Sequence, residues 1–183
     1  MPKTGEELQM IIDNQIITRG GKIITAPIDA RIHGVLVQVQ QDQEWLQAVQ
    51  DAGPDTAEDH TIWEAGTFFL PVGAEVVEEE LILLNYPEKK GSWYKALAWS
   101  EQQGLESTVP REVFAVGDQH QNLHKELGCD AMYAIATTER TFGGHRRACS
   151  VLWYDKVRKA GCPRVSWFGE VFDCFVFRIP LVN

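Results

Sequence analysis

The chain has 183 residues, 26 of them acidic and 17 basic, for a net charge of −9 at pH 7 with His neutral. Hydrophobic residues make up 44% and charged residues 23%, the make-up of an ordinary globular protein, which excludes collagen-like and wholly disordered chains. Its apolar stretches fall far short of the roughly 18–20 residues of a membrane-spanning helix, and the opening Met1-Pro2-Lys3-Thr4-Gly5-Glu6-Glu7 lacks the basic-then-apolar order of a signal peptide, so a soluble, cytoplasmic protein without a membrane partner is expected, folded as a single domain over 1–183.

Taken in chain order, Thr4 and Glu7 form a capping box ahead of Leu8, Ile11 and Ile12, which predicts a helix over 5–14. Ile16 to Thr25 reads as two β-branched runs about Gly20-Gly21, a hairpin with a tight turn. Arg31 to Val39 is a strand. Asp42 is placed to cap a helix through Trp45, Leu46 and Val49 to Ala52, and 53–60 is a polar loop. Thr67 to Val72 is expected to be extended, Glu75 to Glu80 a solvated acidic face, and Leu81 to Tyr86 a buried segment of either type. Ser92 caps a helix carrying Trp93, Ala96, Leu97 and Ser100 and stopped by Gly104; Pro110 opens another with Val113, Phe114 and Val116; Asp118 to Leu127 is a third, stopped by Gly128. The remainder has strand character at Met132–Thr138, Ala148–Tyr154, Arg164–Phe168 and Cys174–Ile179. Helices followed by a run of strands predict an α+β fold of short helices and an antiparallel sheet.

Charge divides the chain. Residues 1–91 hold 6 basic and 16 acidic side chains, while 92–183 hold 11 and 10, so an acidic N-terminal part precedes a near-neutral C-terminal part. Between 140 and 164 stand Arg140, Arg146, Arg147, Lys156, Arg158, Lys159 and Arg164, with Asp155 the one acid. A negative chain repels phosphate backbones, so nucleic acid is not an expected partner, but a local basic stretch suits a small anion or faces the acidic half.

Motifs of catalysis are sparse. Cys129, Cys149, Cys162 and Cys174 form no Cys-x-x-Cys pair; without a signal peptide they are expected to be free thiols, Cys149 and Cys174 in the core. His120 and His124 share a helical face at i, i+4 but lack a third ligand, so no metal or cofactor is expected. A Cys149–His145 nucleophilic pair is conceivable from spacing, yet nothing in the sequence forces the two to meet. The segment that concentrates chemistry is Thr137 to Arg147: Gly143-Gly144 makes a tight turn or a close backbone approach, and Thr138, Glu139, Arg140, His145, Arg146 and Arg147 surround it. Guanidinium groups grip carboxylate or phosphate in a planar, bidentate way, and Trp153 is expected to line a cleft beside them.

Trp93, Ala96-Leu97-Ala98-Trp99 and Gly104-Leu105 lead to Thr108-Val109-Pro110-Arg111, then to Ala136-Thr137-Thr138-Glu139 and a closing Phe175-Val176-Phe177-Arg178. This order over 92–179 is similar to the C-type-lectin-like fold of the sulfatase-modifying-factor group and of Lcl-type C-terminal domains, in which a Leu-Pro-Thr motif opens the second helix. The resemblance implies a binding fold. The paired catalytic cysteines of the formylglycine-generating branch have no counterpart, so it implies no enzyme. The expected function is a non-catalytic binding module for a small anionic ligand or a partner protein. The alternatives are an enzyme using Glu139, Arg140 and His145, or an assembly protein whose acidic half packs on a basic surface and which forms a homo-oligomer.

Overall fold

A computed structural model of the protein describes residues 15–19, 21–57, 59–88 and 91–181. The helix expected over 5–14 and the turn residue Gly20 lie outside them. The fold is α+β. Strands β1 (Ile16–Arg19) and β2 (Lys22–Thr25) form the expected hairpin, closed at Arg19↔Lys22 with Gly21 at φ +73°. The strands β3 (Arg31–Gln40) and β4 (Val76–Asn85) pair antiparallel over their full length, from Arg31↔Asn85 to Gln40↔Val76. Between them lie α1 (Trp45–Ala52) and α2 (His60–Ala65).

The second half supplies α3 (Trp93–Gln102), β5 (Glu106–Ser107), α4 (Pro110–Gln119) and the short α5 (Leu123–Glu126). There follow β6 (Ala131–Ala136), a small hairpin of β7 (Arg140–Phe142) and β8 (His145–Arg147), then β9 (Ser150–Tyr154), β10 (Val157–Gly161), a 3₁₀ turn at Val165–Trp167 and β11 (Asp173–Arg178). The main sheet runs β10-β9-β6-β11-β4-β3, and β5 continues the line of β6 along β11. Strands from the acidic and the near-neutral parts therefore share one sheet.

Layering follows from the apolar runs. Leu81, Leu83, Cys174 and Val176 face one cluster with Val49, Phe114 and Trp153, against α1 and α4; Ile82, Leu84, Phe175 and Phe177 face another with Trp93, Trp99 and Ile24, against α3 and the β1–β2 hairpin. A strand covered on both faces loses the apolar–polar alternation, which is why Leu81–Leu84 and Phe175–Phe177 read as continuous runs. Burying each such side chain contributes about 1.5–3 kcal/mol. No described helix is long and apolar enough to cross a membrane.

Several expectations need correction. The sheet is mixed: β6 and β11 are parallel, because β11 enters between β6 and β4 after β7 to β10 have intervened. The cap of α1 is Glu44, whose carboxylate accepts from the Gln47 amide, rather than Asp42. The polar loop ends at Asp59, which caps α2, and Thr67–Phe69 continue that helix in turns bonded to Glu64 and Ala65 carbonyls instead of extending. The acidic run belongs to β4, so the pleat turns alternate residues inward: Glu78 is exposed and Glu79 is 7% exposed. Asp118 lies in the last turn of α4 and His120 closes it, so His120 and His124 do not share a helix. Arg164–Phe168 is not a strand, because Trp167 and Phe168 amides bond the carbonyls of Arg164 and Val165. One edge of the sheet is β10, a strand disguised in sequence by the solvent-side charges common on edges.

All four cysteines are unpaired; Cys149, Cys162 and Cys174 are buried, and the Cys149 and Cys162 sulfurs lie 3.4 Å apart.

Candidate functional site

The segment rich in chemistry is the β7–β8 hairpin. Gly143 and Gly144 have φ of +59° and +75°, the two positive angles of a type I′ turn, which sets Arg140 opposite Arg147, Thr141 opposite Arg146 and Phe142 opposite His145. The hairpin packs through Phe142, which is 5% exposed and stacks on Phe68 at 4.5 Å between ring centroids.

The arginines part company. Arg146 is held by both oxygens of Glu139, at 2.7 and 2.6 Å, donates to the Tyr94 hydroxyl and lies over that ring. This partnership raises the Arg146 pKa, chiefly through the Glu139 hydrogen bonds. Arg140 turns to the other side, donating to the carbonyls of Phe68 (3.3 Å) and Glu139 (2.8 Å). Arg147 donates to the Cys162 carbonyl at 3.0 Å and lies over the Phe142 ring. The Thr138 amide bonds the Thr108 carbonyl at 3.1 Å, tying the start of the loop to the β5 side of the sheet. Trp153 is 1% exposed in the core and lines no cleft with the arginines: it faces inward from β9, whose alternate residues pack under α4. Cys149 is fully buried against Cys162, and no contact joins it to His145 among the described residues.

What the fold does bring together is Arg147 and Arg164. They form an isolated antiparallel bridge beyond the end of the β9–β10 pair. With Lys159, Trp167, Tyr133 and Ser150 they line an open cleft of about 360 Å³, in which Asp59 is the one carboxylate among the described residues. Arg164 lies over the Trp167 ring at 5.2 Å, and Trp167 is 61% exposed, so the indole forms an apolar rim. The Nε atoms of both arginines are buried without a hydrogen-bond partner, and neither guanidinium is paired with a carboxylate among the described residues.

Arg164 also walls a neighbouring cleft with His145, Arg146, Ser92 and Ser166. His145 has its pKa lowered by desolvation and by the charges of Arg164 and Arg147, which favour its neutral form. Of the expected residues, Arg147 and His145 border the Arg164 region, Glu139 and Arg146 neutralise each other, and Arg140 lines a different cleft. Sequence reasoning left out Arg164, Lys159 and Trp167 as site residues. Arg164 and Lys159 belong to the basic stretch, and the register of the β9–β10 pair, continued through the Ala148 amide and Pro163 carbonyl, sets Arg164 opposite Arg147.

The i, i+4 histidines are spent on backbone: His120 Nε2 meets the Leu36 carbonyl at 2.9 Å and His124 Nε2 the Asp155 carbonyl at 3.0 Å. Among the described residues no group of His, Cys, Asp and Glu is placed to hold a metal ion.

Compared with protein-family models, curated proteins and solved structures, the chain finds no match.

Proposed function

We propose that the protein is a non-catalytic recognition module for a small anionic ligand, bound in the cleft of Arg147, Lys159, Arg164 and Trp167. The observation that carries this reading is the Arg147–Arg164 bridge. Two like charges near a protein surface repel by about 4 kcal/mol at 4 Å, and folds usually offset this with a carboxylate or an anion. No carboxylate is bonded to either guanidinium among the described residues, and two buried N–H donors point to no acceptor. A phosphate or carboxylate would neutralise both groups, accept from their planar N–H edges and rest against the exposed Trp167 indole.

Calorimetric titration with inorganic phosphate and with a phosphate monoester tests it. Arg164→Ala is expected to abolish binding, and Arg146→Ala, whose charge is matched by Glu139, to leave it nearly unchanged. Equal binding by wild type and Arg164→Ala would remove this site from consideration.

A further inference from the structure

Two of the four thiols are built into the sheet as a facing pair. Cys149 and Cys162 flank the β9–β10 ladder, whose register runs from Tyr154↔Val157 to Ser150↔Gly161. One residue further, that register sets Cys149 opposite Cys162. The Arg147↔Arg164 bridge lies two residues beyond and keeps the same register, so no bulge intervenes. The two sulfurs lie 3.4 Å apart, the Cys149 thiol donating to Cys162. Cys129 instead accepts from Arg31 Nη2 at 3.4 Å, and Cys174 is buried in β11.

The kind of ladder position decides what this pair can do. The Ala148 amide bonds the Pro163 carbonyl, so Ala148 and Pro163 occupy a hydrogen-bonded position. Bonded and non-bonded positions alternate along an antiparallel pair, which makes Cys149 and Cys162 a non-hydrogen-bonded one. Their carbonyls agree: that of Cys149 turns to β6 and accepts from the Ala136 amide, and that of Cys162 accepts from Arg147 Nη1. Opposed residues at such positions stand about 4.5 Å apart at Cα, with their side chains close together. A disulfide spans about 4.4–6.8 Å at Cα. The ladder therefore holds both cysteines within reach of a bond, and side-chain rotation closes the gap between the sulfurs. Access is graded. Cys162 lines the cleft of Arg147 and Arg164, while Cys149 is fully buried behind it. Burial pushes the Cys149 thiol well up, so Cys149 keeps its proton and Cys162 is the sulfur that meets a solute first.

We infer that Cys149 and Cys162 are a redox-active thiol pair, closed to a cross-strand disulfide by a hydroperoxide and reopened by a dithiol. Cys162, having given up its proton, attacks the O–O bond of hydrogen peroxide. It becomes a sulfenic acid, and the hydroxide released takes up that proton and leaves as water. The Cys149 sulfur then displaces the sulfenic hydroxyl, which leaves as water with the Cys149 proton. The two thiols lose two electrons and two protons in all, and one peroxide becomes two waters. The new bond pins the two strands beside the arginine bridge. It stands on the sulfurs alone, whether or not an anion binds between the arginines.

Non-reducing peptide mapping of the full chain after treatment with hydrogen peroxide tests this. The peptide holding Cys149 is expected to be joined to the one holding Cys162, and dithiothreitol to separate them. Closing this loop should also raise the melting temperature by several degrees. Cys162→Ala should lose both the crosslink and the rise, and Cys129→Ala should keep both. The inference is overturned if the wild type forms no crosslink under peroxide, if Cys149 and Cys162 end as sulfinic or sulfonic acids instead, or if the crosslink joins a different pair. These outcomes are read on the wild type, so none of them depends on a variant folding.

Discussion

Arg147 and Arg164 face each other across a single β-bridge, two cations on the continuing arms of the β9–β10 pair fixed on the wall of one cleft. Backbone pairing, not attraction between side chains, holds them there: the Ala148 amide bonds the Pro163 carbonyl at 3.2 Å, and the Arg147 guanidinium is anchored on the Cys162 carbonyl. The arrangement is prepaid by the sheet, so an anion entering it meets charges already in position.

Anion binding at this cleft should weaken with salt. The site is open to solvent, and the Debye length shortens from about 10 Å at 0.1 M to about 3 Å at 1 M. Titrating phosphate at rising sodium chloride should give a steadily falling affinity in wild type. An affinity independent of salt would mean that the anion sits elsewhere, in a closed site.

The β7–β8 turn sets the spacing of the hairpin, and its two glycines occupy the left-handed region; a Cβ on Gly144 would meet open space and one on Gly143 only Arg147 Nε at 4.0 Å. The cost of substitution is conformational rather than steric, roughly 1–2 kcal/mol per residue for a β-branched side chain. Gly144→Val is expected to lower the melting temperature by a few degrees and to weaken phosphate binding, because His145 to Arg147 lose their register. An unchanged melting temperature would show that the turn relaxes freely.

Gly117 makes the opposite case. Within a helix, alanine would ordinarily gain about 1 kcal/mol. Here a Cβ would stand 2.8 Å from the Ala52 carbonyl oxygen and 3.1 Å from Val151 Cγ1, where α4 crosses α1 and the sheet. Backbone cannot yield as a flexible side chain can, so the clash outweighs the propensity. Gly117→Ala should destabilise the fold by about 1–3 kcal/mol in urea denaturation. A more stable variant would mean that α4 can slide on α1.

Glu79 should make stability depend on pH in an unusual direction. Burial first, and then the neighbouring Glu112 charge, raise its pKa above the usual carboxylate value. The unfolded chain then releases this proton at lower pH than the folded one does, so the group costs stability as pH rises through its raised value. Glu79→Gln removes that cost: the variant should melt above wild type at pH 7, by a few degrees for about 1 kcal/mol, and the gap should close below pH 4. Thermal melts across this range check the sign. A variant less stable at pH 7 would show that the carboxylate is paired in the folded protein.

What the sequence determined by itself is local. The β1–β2 hairpin, the Ser92 cap of α3, the Pro110 start of α4, the turns at Gly104 and Gly128 and the apolar runs of β6, β9 and β11 follow from φ preference, capping and periodicity within a few residues. The pairing of like charges at Arg147 and Arg164 does not, because it depends on the register of the β9–β10 pair, which continues past Ser150↔Gly161 to set the two arginines opposite each other. Nor does the fate of each arginine in the hairpin: Arg146 is matched by an acid seven residues away, while Arg140 and Arg147 leave on opposite sides. Glu79 looked like part of a solvated acidic face because the three glutamates around it, Glu75, Glu78 and Glu80, set the local composition. Only strand pairing and the packing of α4 over the sheet end decided that its side chain turns inward, and burial without a partner is a property of the assembled neighbours, which no local pattern records.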